Sequence, residues 1–234
     1  MTDIWPQVSI LIITYKRLDV VTRTIRALGK NLRYTGPIHW HVADDGSGQE
    51  YIDKVGSAIL LAQQAMEITG PITYTDAQRK GVGVSMNMGQ HTCWSMSDYV
   101  LWLEDDWYLK HEFDLHPCVR FLHEHANYGM IRLGYLQVGL KAKTVSGCDR
   151  LWWSIDRESD DPFIFTGHAS LRHKRFYEAY GDYNPGYTPG NTECDYAYRF
   201  LQKAGPDIVY PALYGNWGPF DHIGEESLKD VKPE

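Results

Sequence analysis

An α/β architecture, a mainly parallel sheet flanked by helices, is what the patterning of this chain calls for. Strand-sized runs rich in β-branched residues alternate with stretches in which apolar residues recur every three or four positions, the order expected of parallel strands joined by helical crossovers. Acidic residues stand where several strand runs stop, and open α/β sheets bind ligands beyond the carboxyl ends of their strands. At 234 residues the chain is long enough to bury a full core as one unit.

Val8–Thr14 carries no charge and is mostly β-branched, as in a strand covered on both faces. Asp19 is placed to cap a following helix in which Val21, Ile25, Leu28 and Leu32 repeat at helical spacing. Pro37 interrupts the chain, and His39–Ala43 forms a second strand that runs into Asp44, Asp45, Gly46 and Ser47. Val55, Ile59, Ala62 and Met66 mark one face of a second helix, which stops before Gly70 and Pro71. Ile72–Tyr74 is a short strand. Gly81 and Gly83 form a loop ahead of a helix from about Ser85 to Met96, and Tyr99–Leu103 is a strand running into Glu104, Asp105 and Asp106. The second half is less regular, with a helix around Leu115–His125 and a strand at Met130–Leu133. A β-rich, loop-heavy region holds Trp152, Trp153, Phe163 and Phe165. A turn-rich segment from Gly181 to Gly190 leads into a helix from about Glu193 to Ala204, closed by Gly205 as its C′ residue. Lys229–Glu234 reads as a disordered end.

Composition narrows the class. A hydrophobic fraction of 43% with 23% charged residues is that of a folded globular protein. A net charge of −7 argues against broad binding to nucleic acid, which needs a basic face. The run Arg172, His173, Lys174, Arg175 reads as a solvated turn and helix start, or as a local binding path. Cys93, Cys118, Cys148 and Cys194 show no C-x-x-C spacing, which excludes a zinc knuckle or a thioredoxin-type motif and favours free thiols. Met1–Gln7 lacks a basic-then-apolar leader, and no apolar run approaches the ~20 residues of a membrane span. The expectation is a soluble, cytoplasmic protein.

The chemistry gathers at strand ends: Thr14 and Tyr15 after the first, Asp44 and Asp45 after the second, and Glu104, Asp105 and Asp106 after the Tyr99 strand. Crowded carboxylates repel one another, and a divalent cation relieves the repulsion while bridging carboxylates to phosphates, as Mn²⁺ and Mg²⁺ do. Leu103 and Trp107 set the last cluster in apolar surroundings. With 8 Trp and 16 Tyr the chain has aromatic faces suited to sugar rings, although most will be core. Trp152 and Trp153 point to opposite faces if they lie in a strand, so at most one lines a site.

The segments VSILIITYKR (Val8 to Arg17), VADDGS (Val42 to Ser47), RKGVGVSMNMG (Arg79 to Gly89) and LWLEDDW (Leu101 to Trp107) together resemble the GT-A glycosyltransferases, above all the inverting family 2. GHASLRHKRFYEAYGDYNPGY (Gly167 to Tyr187), NTECDYAYRF (Asn191 to Phe200) and DHIGEES (Asp221 to Ser227) continue the likeness. The resemblance implies a GT-A, Rossmann-like domain over 1–234, with a nucleotide-sugar-binding lobe at 1–110 and a smaller acceptor-binding and catalytic-base lobe at 111–234. It implies transfer of a sugar, with inversion, from a nucleotide-diphospho-sugar (a UDP-sugar is favoured) to an acceptor hydroxyl with Mn²⁺ or Mg²⁺. The acceptor stays open among a glycan, a protein, a small molecule and a modified nucleic-acid base.

Carried over residue by residue, the likeness puts Thr14, Tyr15 and Arg17 along the nucleotide, with Asp45 or Asp44 accepting from its base or ribose. Arg79 and Lys80 would approach the base or pyrophosphate. Asp106 matches the last acid of the D-x-D motif and so the metal contact. Glu104 replaces the first acid, with Asp105 between them, and would reach either the metal or the donor. Glu193 matches the general base by its spacing from Arg199, with Asp195 as the alternative; either acid would also suit a helix N-terminus. His222 would complete the metal or diphosphate site, and Trp217 is either core or a stacking surface. Two other readings stand beside this one. A nucleotidyltransferase would carry a glycine-rich basic loop that VSILIITYKR lacks, and a non-catalytic carbohydrate-binding domain would not need the acids Asp45, Asp106 and Glu193.

Overall fold

The uncharged run at the start of the chain becomes an interior strand of the main sheet, and the rest of the architecture is built outward from it. The computed structural model describes residues 4–136, 139–148, 150–160 and 164–224. In chain order the elements are β1 (Val8–Thr14), α1 (Leu18–Asn31), β2 (Leu32–Arg33), β3 (Ile38–Asp44), α2 (Gln49–Ala65), β4 (Ile72–Asp76), α3 (Val82–Met96), β5 (Tyr99–Glu104) and β6 (Trp107–Leu109). They continue with β7 (Phe113–Asp114), α4 (His116–Glu124), β8 (Tyr128–Arg132), β9 (Ala142–Thr144), β10 (Trp152–Ile155), β11 (Ser170–His173), α5 (Lys174–Tyr180), α6 (Pro189–Gln202), β12 (Asp207–Pro211) and β13 (Phe220–His222).

Nine strands form one sheet in the order β4-β3-β1-β5-β11-β8-β12-β10-β9. The first four run parallel, and β11 reverses direction between β5 and β8. Side chains alternate across the pleat, so each strand feeds two cores. Ile10 and Ile12 of β1 join Trp40, Leu101 and the apolar faces of α1, α2 and α4 on one side. Leu11 and Ile13 join Trp102, Met86 and the aromatic cluster of α5 and α6 on the other. Covering both faces explains why the parallel strands read as continuous apolar runs. Trp152 packs into the first core and Trp153 against the second, on opposite faces of β10 as strand geometry requires.

The structure moves several boundaries. Asp19 lies inside the first turn of α1, whose N-cap is Arg17 with no capping side chain. Gly83 belongs to α3, and a Cβ there would come within 2.7 Å of the Asn184 carbonyl, so the glycine admits a close approach rather than a loop. The helix expected from Glu193 begins at Pro189, which sets Glu193 beyond the first turn. That helix leaves through an extended Lys203, and Gly205 is not its left-handed C′ residue: a Cβ at Gly205 would press on the Tyr180 hydroxyl at 2.6 Å. Arg172 is neither solvated nor part of a surface path. It is buried on β11, its guanidinium 3.9 Å from the Trp102 ring centre and 2.7 Å from the Tyr183 hydroxyl. The four cysteines are free thiols. Among the described residues no helix is long and apolar enough to cross a membrane. Phe163 and Lys229–Glu234 lie outside the described residues.

Candidate active site

Register places the site. Thr14 ends β1 opposite Asp44 of β3, and Ile13 stands opposite Glu104 of β5, so the three chains leave the sheet side by side. The acids they carry are held in different ways. Asp44 is consumed by its own turn: its carboxylate accepts from the Gly46 and Ser47 amides at 2.9 and 2.6 Å and from the Ser47 hydroxyl at 2.6 Å. Asp45 instead reaches forward, accepting from the Gly81 amide at 3.1 Å and so fixing the entry to α3. Arg79 and Lys80 are exposed in the turn just before Gly81, with Arg79 in the left-handed region at φ 62°.

Beyond β1, β3 and β5 opens a cavity of about 520 Å³ lined by Thr14, Tyr15, Arg17, Asp45, Ser85, Glu104 and Asp105, among others. Asp105 forms part of its rear wall. It is buried, accepts from the Thr14 hydroxyl at 2.9 Å, and is gripped by Arg17. Arg17 also reaches Asp106 at 2.9 Å, which makes one guanidinium the counterion of two adjacent acids. Burial lifts Asp105 to about 6, with Arg17 working against the rise.

A second cavity, about 340 Å³, lies on the other side of Glu104 and is lined by Glu104, Trp107, Tyr135, Thr166, Gly167, His168, Glu193 and His222. Glu104 is the residue common to both cavities. Burial, and then the charges of Asp106, Glu193 and Asp105, push its carboxyl up to about 8. Glu193 enters from α6 and accepts from the Gly167 amide at 2.5 Å. Asp195, two residues on, turns to Arg199 at 2.9–3.0 Å and does not line the cavity. Trp107, Tyr135 and His168 form an aromatic wall, with His168 4.7 Å from Trp107 and 4.5 Å from Tyr135 between ring centres. Burial and the neighbouring Arg132 pull His168 down to about 2, so this imidazole is neutral.

Asp106 sits at the seam. Pairing of β13 with β6 sets His222 opposite Trp107 and brings its Nε2 to 3.3 Å from Asp106 Oδ2. Burial works to raise Asp106, but the hydrogen bond from His222 and the charge of Arg17 outweigh it and hold the acid below its ordinary value. Its other oxygen, Oδ1, is buried with no hydrogen-bond partner among the described residues. Among the described residues no three His, Cys, Asp or Glu side chains form a group that could hold a metal by themselves. An Asp–His pair with an orphaned oxygen still suits a hard cation that takes one or two carboxylates and completes its shell with phosphate oxygens and water.

Residues 9–180 match glycosyl transferase family 2. The chain belongs to that family. Among curated proteins none matches it in sequence. Several solved structures share its fold. TarS from S. aureus superposes with a TM-score of 0.63 at 12% identity, covering 87% of this chain and 36% of its own. GalNAc-T7, solved with UDP, GalNAc and Mn²⁺, gives 0.62 at 12%, covering 89% and 43%. The mannosyltransferase PcManGT from Pyrobaculum calidifontis, in complex with GDP-Man and Mn²⁺, gives 0.58 at 13%, covering 89% and 55%. The chain therefore spans between about a third and just over half the length of these proteins, and the likeness to them is one of GT-A fold. Trp217 is 74% exposed and lines neither cavity. The aromatic and hydroxyl lining at Tyr135, Thr166 and His168 was missed by sequence reasoning, although Gly167 and His168 open the GHASL segment that carried the family likeness.

Proposed function

We propose that this family 2 domain transfers a sugar from a nucleotide-diphospho-sugar to an acceptor hydroxyl, with a divalent cation and with inversion. The observation that carries the reading is the meeting of two cavities at Glu104, with strand-end acids on one side and Glu193 on the other. The nucleotide occupies the larger cavity, where Asp45 accepts from its base or ribose and Tyr15 and Thr14 lie along it. A uridine nucleotide is the first choice, because both TarS and GalNAc-T7 have been solved with UDP, and GDP is the alternative. Asp106 and His222 would hold Mn²⁺ or Mg²⁺, and the bound cation would supply Lewis-acid neutralisation of the leaving diphosphate.

Glu193 takes the proton of the acceptor hydroxyl as that oxygen attacks the anomeric carbon. The new bond forms on the face opposite the departing diphosphate, so one displacement inverts the configuration. The Gly167 amide holds the Glu193 carboxylate in place for this step. Incubation with nucleotide-sugars and Mn²⁺ tests the reading. Release of free nucleoside diphosphate supports it, pyrophosphate would indicate nucleotidyl transfer, and binding without turnover would indicate a carbohydrate-binding role.

A further inference from the structure

We infer that Ser85 of α3 is a nucleotide contact, its hydroxyl holding a ribose hydroxyl of the donor in the larger cavity. The inference rests on the nucleoside-diphosphate reading above and adds to it a residue that reads the sugar of the nucleotide. Ser85 is 1% exposed and lines that cavity with Ile13 and Val82. Its Oγ has no hydrogen-bond partner among the described residues, and a buried hydroxyl left in that state is costly. Further along the helix Met86, Cys93 and Trp94 pack into the second core. Packing and helix propensity alone would favour alanine at position 85.

Much of the remaining polar lining is already engaged. Thr14 donates to Asp105 at 2.9 Å, Arg17 grips Asp105 and Asp106, and Asp45 accepts from the Gly81 amide at 3.1 Å. The Asp45 contact also decides which part of the nucleotide meets α3. A helix N-terminus attracts anions through its free amides and its dipole. Here a carboxylate already stands at Gly81, and its charge opposes a second anion. The phosphates belong instead where Arg17 reaches Asp106, beside the proposed cation. The α3 side is left to the uncharged nucleoside.

Within the nucleoside the ribose comes next to the diphosphate. Gly81 and Val82 line the cavity where α3 begins. Ser85 lines it one turn further along, in company with Ile13 and Glu104, which stand opposite each other in β1 and β5. A serine hydroxyl both donates and accepts, as a ribose hydroxyl does, so the two match in either sense. It turns about χ1 without moving the helix. A ligand that lacks the hydroxyl leaves Ser85 buried and unpaired, and sites built in this way reject such analogues.

Calorimetry on the full chain with Mn²⁺ decides it, using UDP and 2′,3′-dideoxy-UDP, which differ only in the two ribose hydroxyls. The parent should bind UDP about tenfold or more tighter than the dideoxy form. Ser85→Ala should weaken UDP by about three- to tenfold, the order of one neutral hydrogen bond. The dideoxy nucleotide should stay within a factor of about two, so the ratio narrows, and its unchanged affinity shows that the variant is folded. If GDP binds and UDP does not, GDP and its dideoxy form replace the pair. An unchanged UDP affinity in Ser85→Ala overturns the inference, as does a parent that binds both nucleotides equally. An equal loss on both nucleotides overturns it too, because the contact would then be with the base or the phosphates. Failure of both UDP and GDP to bind the parent overturns the donor reading itself.

Discussion

The two cavities that meet at Glu104 hold their acids in different ways. In the larger one two lining acids are braced: Asp45 accepts from the Gly81 amide, and Asp105 is held by Thr14 and Arg17. Each cavity also leaves a lining hydroxyl short of a partner, Ser85 in the larger and Thr166 in the smaller. Among the described residues neither hydroxyl has a hydrogen-bond partner, and the Gly167 amide donates to Glu193. A braced wall fits a surface whose task is to hold one ligand in one pose. Unsatisfied groups are costly in a folded protein, and they persist where a ligand or a reaction will use them.

The sharpest way to break this contrast is Glu193→Gln. The amide keeps the size of the side chain but takes no proton, so turnover should fall by about 10²–10⁴-fold, the usual contribution of a general base. UDP or GDP affinity should stay within a factor of about two, since the change lies in the other cavity. Single-turnover rates and calorimetry on the same preparation check both halves. A near-normal rate would remove Glu193 from the chemistry, and lost nucleotide affinity would merge the two cavities into one functional surface.

Acid should strike the sheet beneath the larger cavity through a ladder of histidines and threonines. Ser9, His39, Thr73, His41 and Thr75 form a hydrogen-bonded chain across β1, β3 and β4, with contacts of 2.7–3.1 Å. Each imidazole is engaged through both ring nitrogens, one able to donate and the other to accept, an arrangement that only the neutral form provides. Burial lowers both histidines, His41 to about 4 with help from His39. The unfolded chain therefore binds more protons between pH 6.5 and 4. Stability should be full above pH 6.5 and fall by about 3 kcal/mol from His41 as pH drops toward 4. Urea midpoints at pH 7.5 and 4.5 test this. Equal midpoints would count against it, and His41→Gln should flatten the difference.

These histidines show where sequence reading stops. Val8–Thr14 was legible to its last residue because a strand covered on both faces leaves an unbroken apolar run, and the acids after it mark the ligand side of the sheet. The ladder at His39 and His41 was invisible, because its partners Thr73 and Thr75 arrive from a strand about 30 residues away. Arg172 misled for a related reason. Four polar residues in a row suggest solvent, yet stacking on Trp102 and a hydrogen bond to Tyr183 carry the first of them into the core. The second cavity depends on β13 folding back onto β6 and on loops around Tyr135 and Thr166, contacts that no local period encodes.

Asp45→Asn and Asp44→Asn sharpen the contrast within a single turn. Asp45 faces the larger cavity, and losing a charge-assisted hydrogen bond there should weaken nucleotide binding by about one to two powers of ten. Asp44 accepts three bonds inside its own turn, so its substitution should lower stability by about 1–3 kcal/mol and affect the nucleotide only through that loss. Calorimetry beside urea melts separates the two. Matching profiles would mean that the turn acts as a unit.

The smallest effect should come from Asp195→Asn, and it tests the same division on α6. Asp195 lies two residues from Glu193 but faces a different neighbour, Arg199 one helical turn along. Both partners are partly exposed, at 28% and 23% of the side-chain surface, and i,i+4 ion pairs of this kind contribute about 0.3–0.5 kcal/mol. Arg199 keeps its bond to the Tyr180 carbonyl and its place 4.5 Å from the Tyr196 ring centre, so removing the acid leaves the guanidinium anchored. The variant should therefore lose less than about 1 kcal/mol of stability. Its turnover should stay near that of the parent, because the acid does not line the cavity that Glu193 enters. A dead Asp195→Asn enzyme with unchanged stability would transfer the proton-accepting role from Glu193 to Asp195. It would also mean that α6 turns during the reaction, since the fold as described points that acid away from the site.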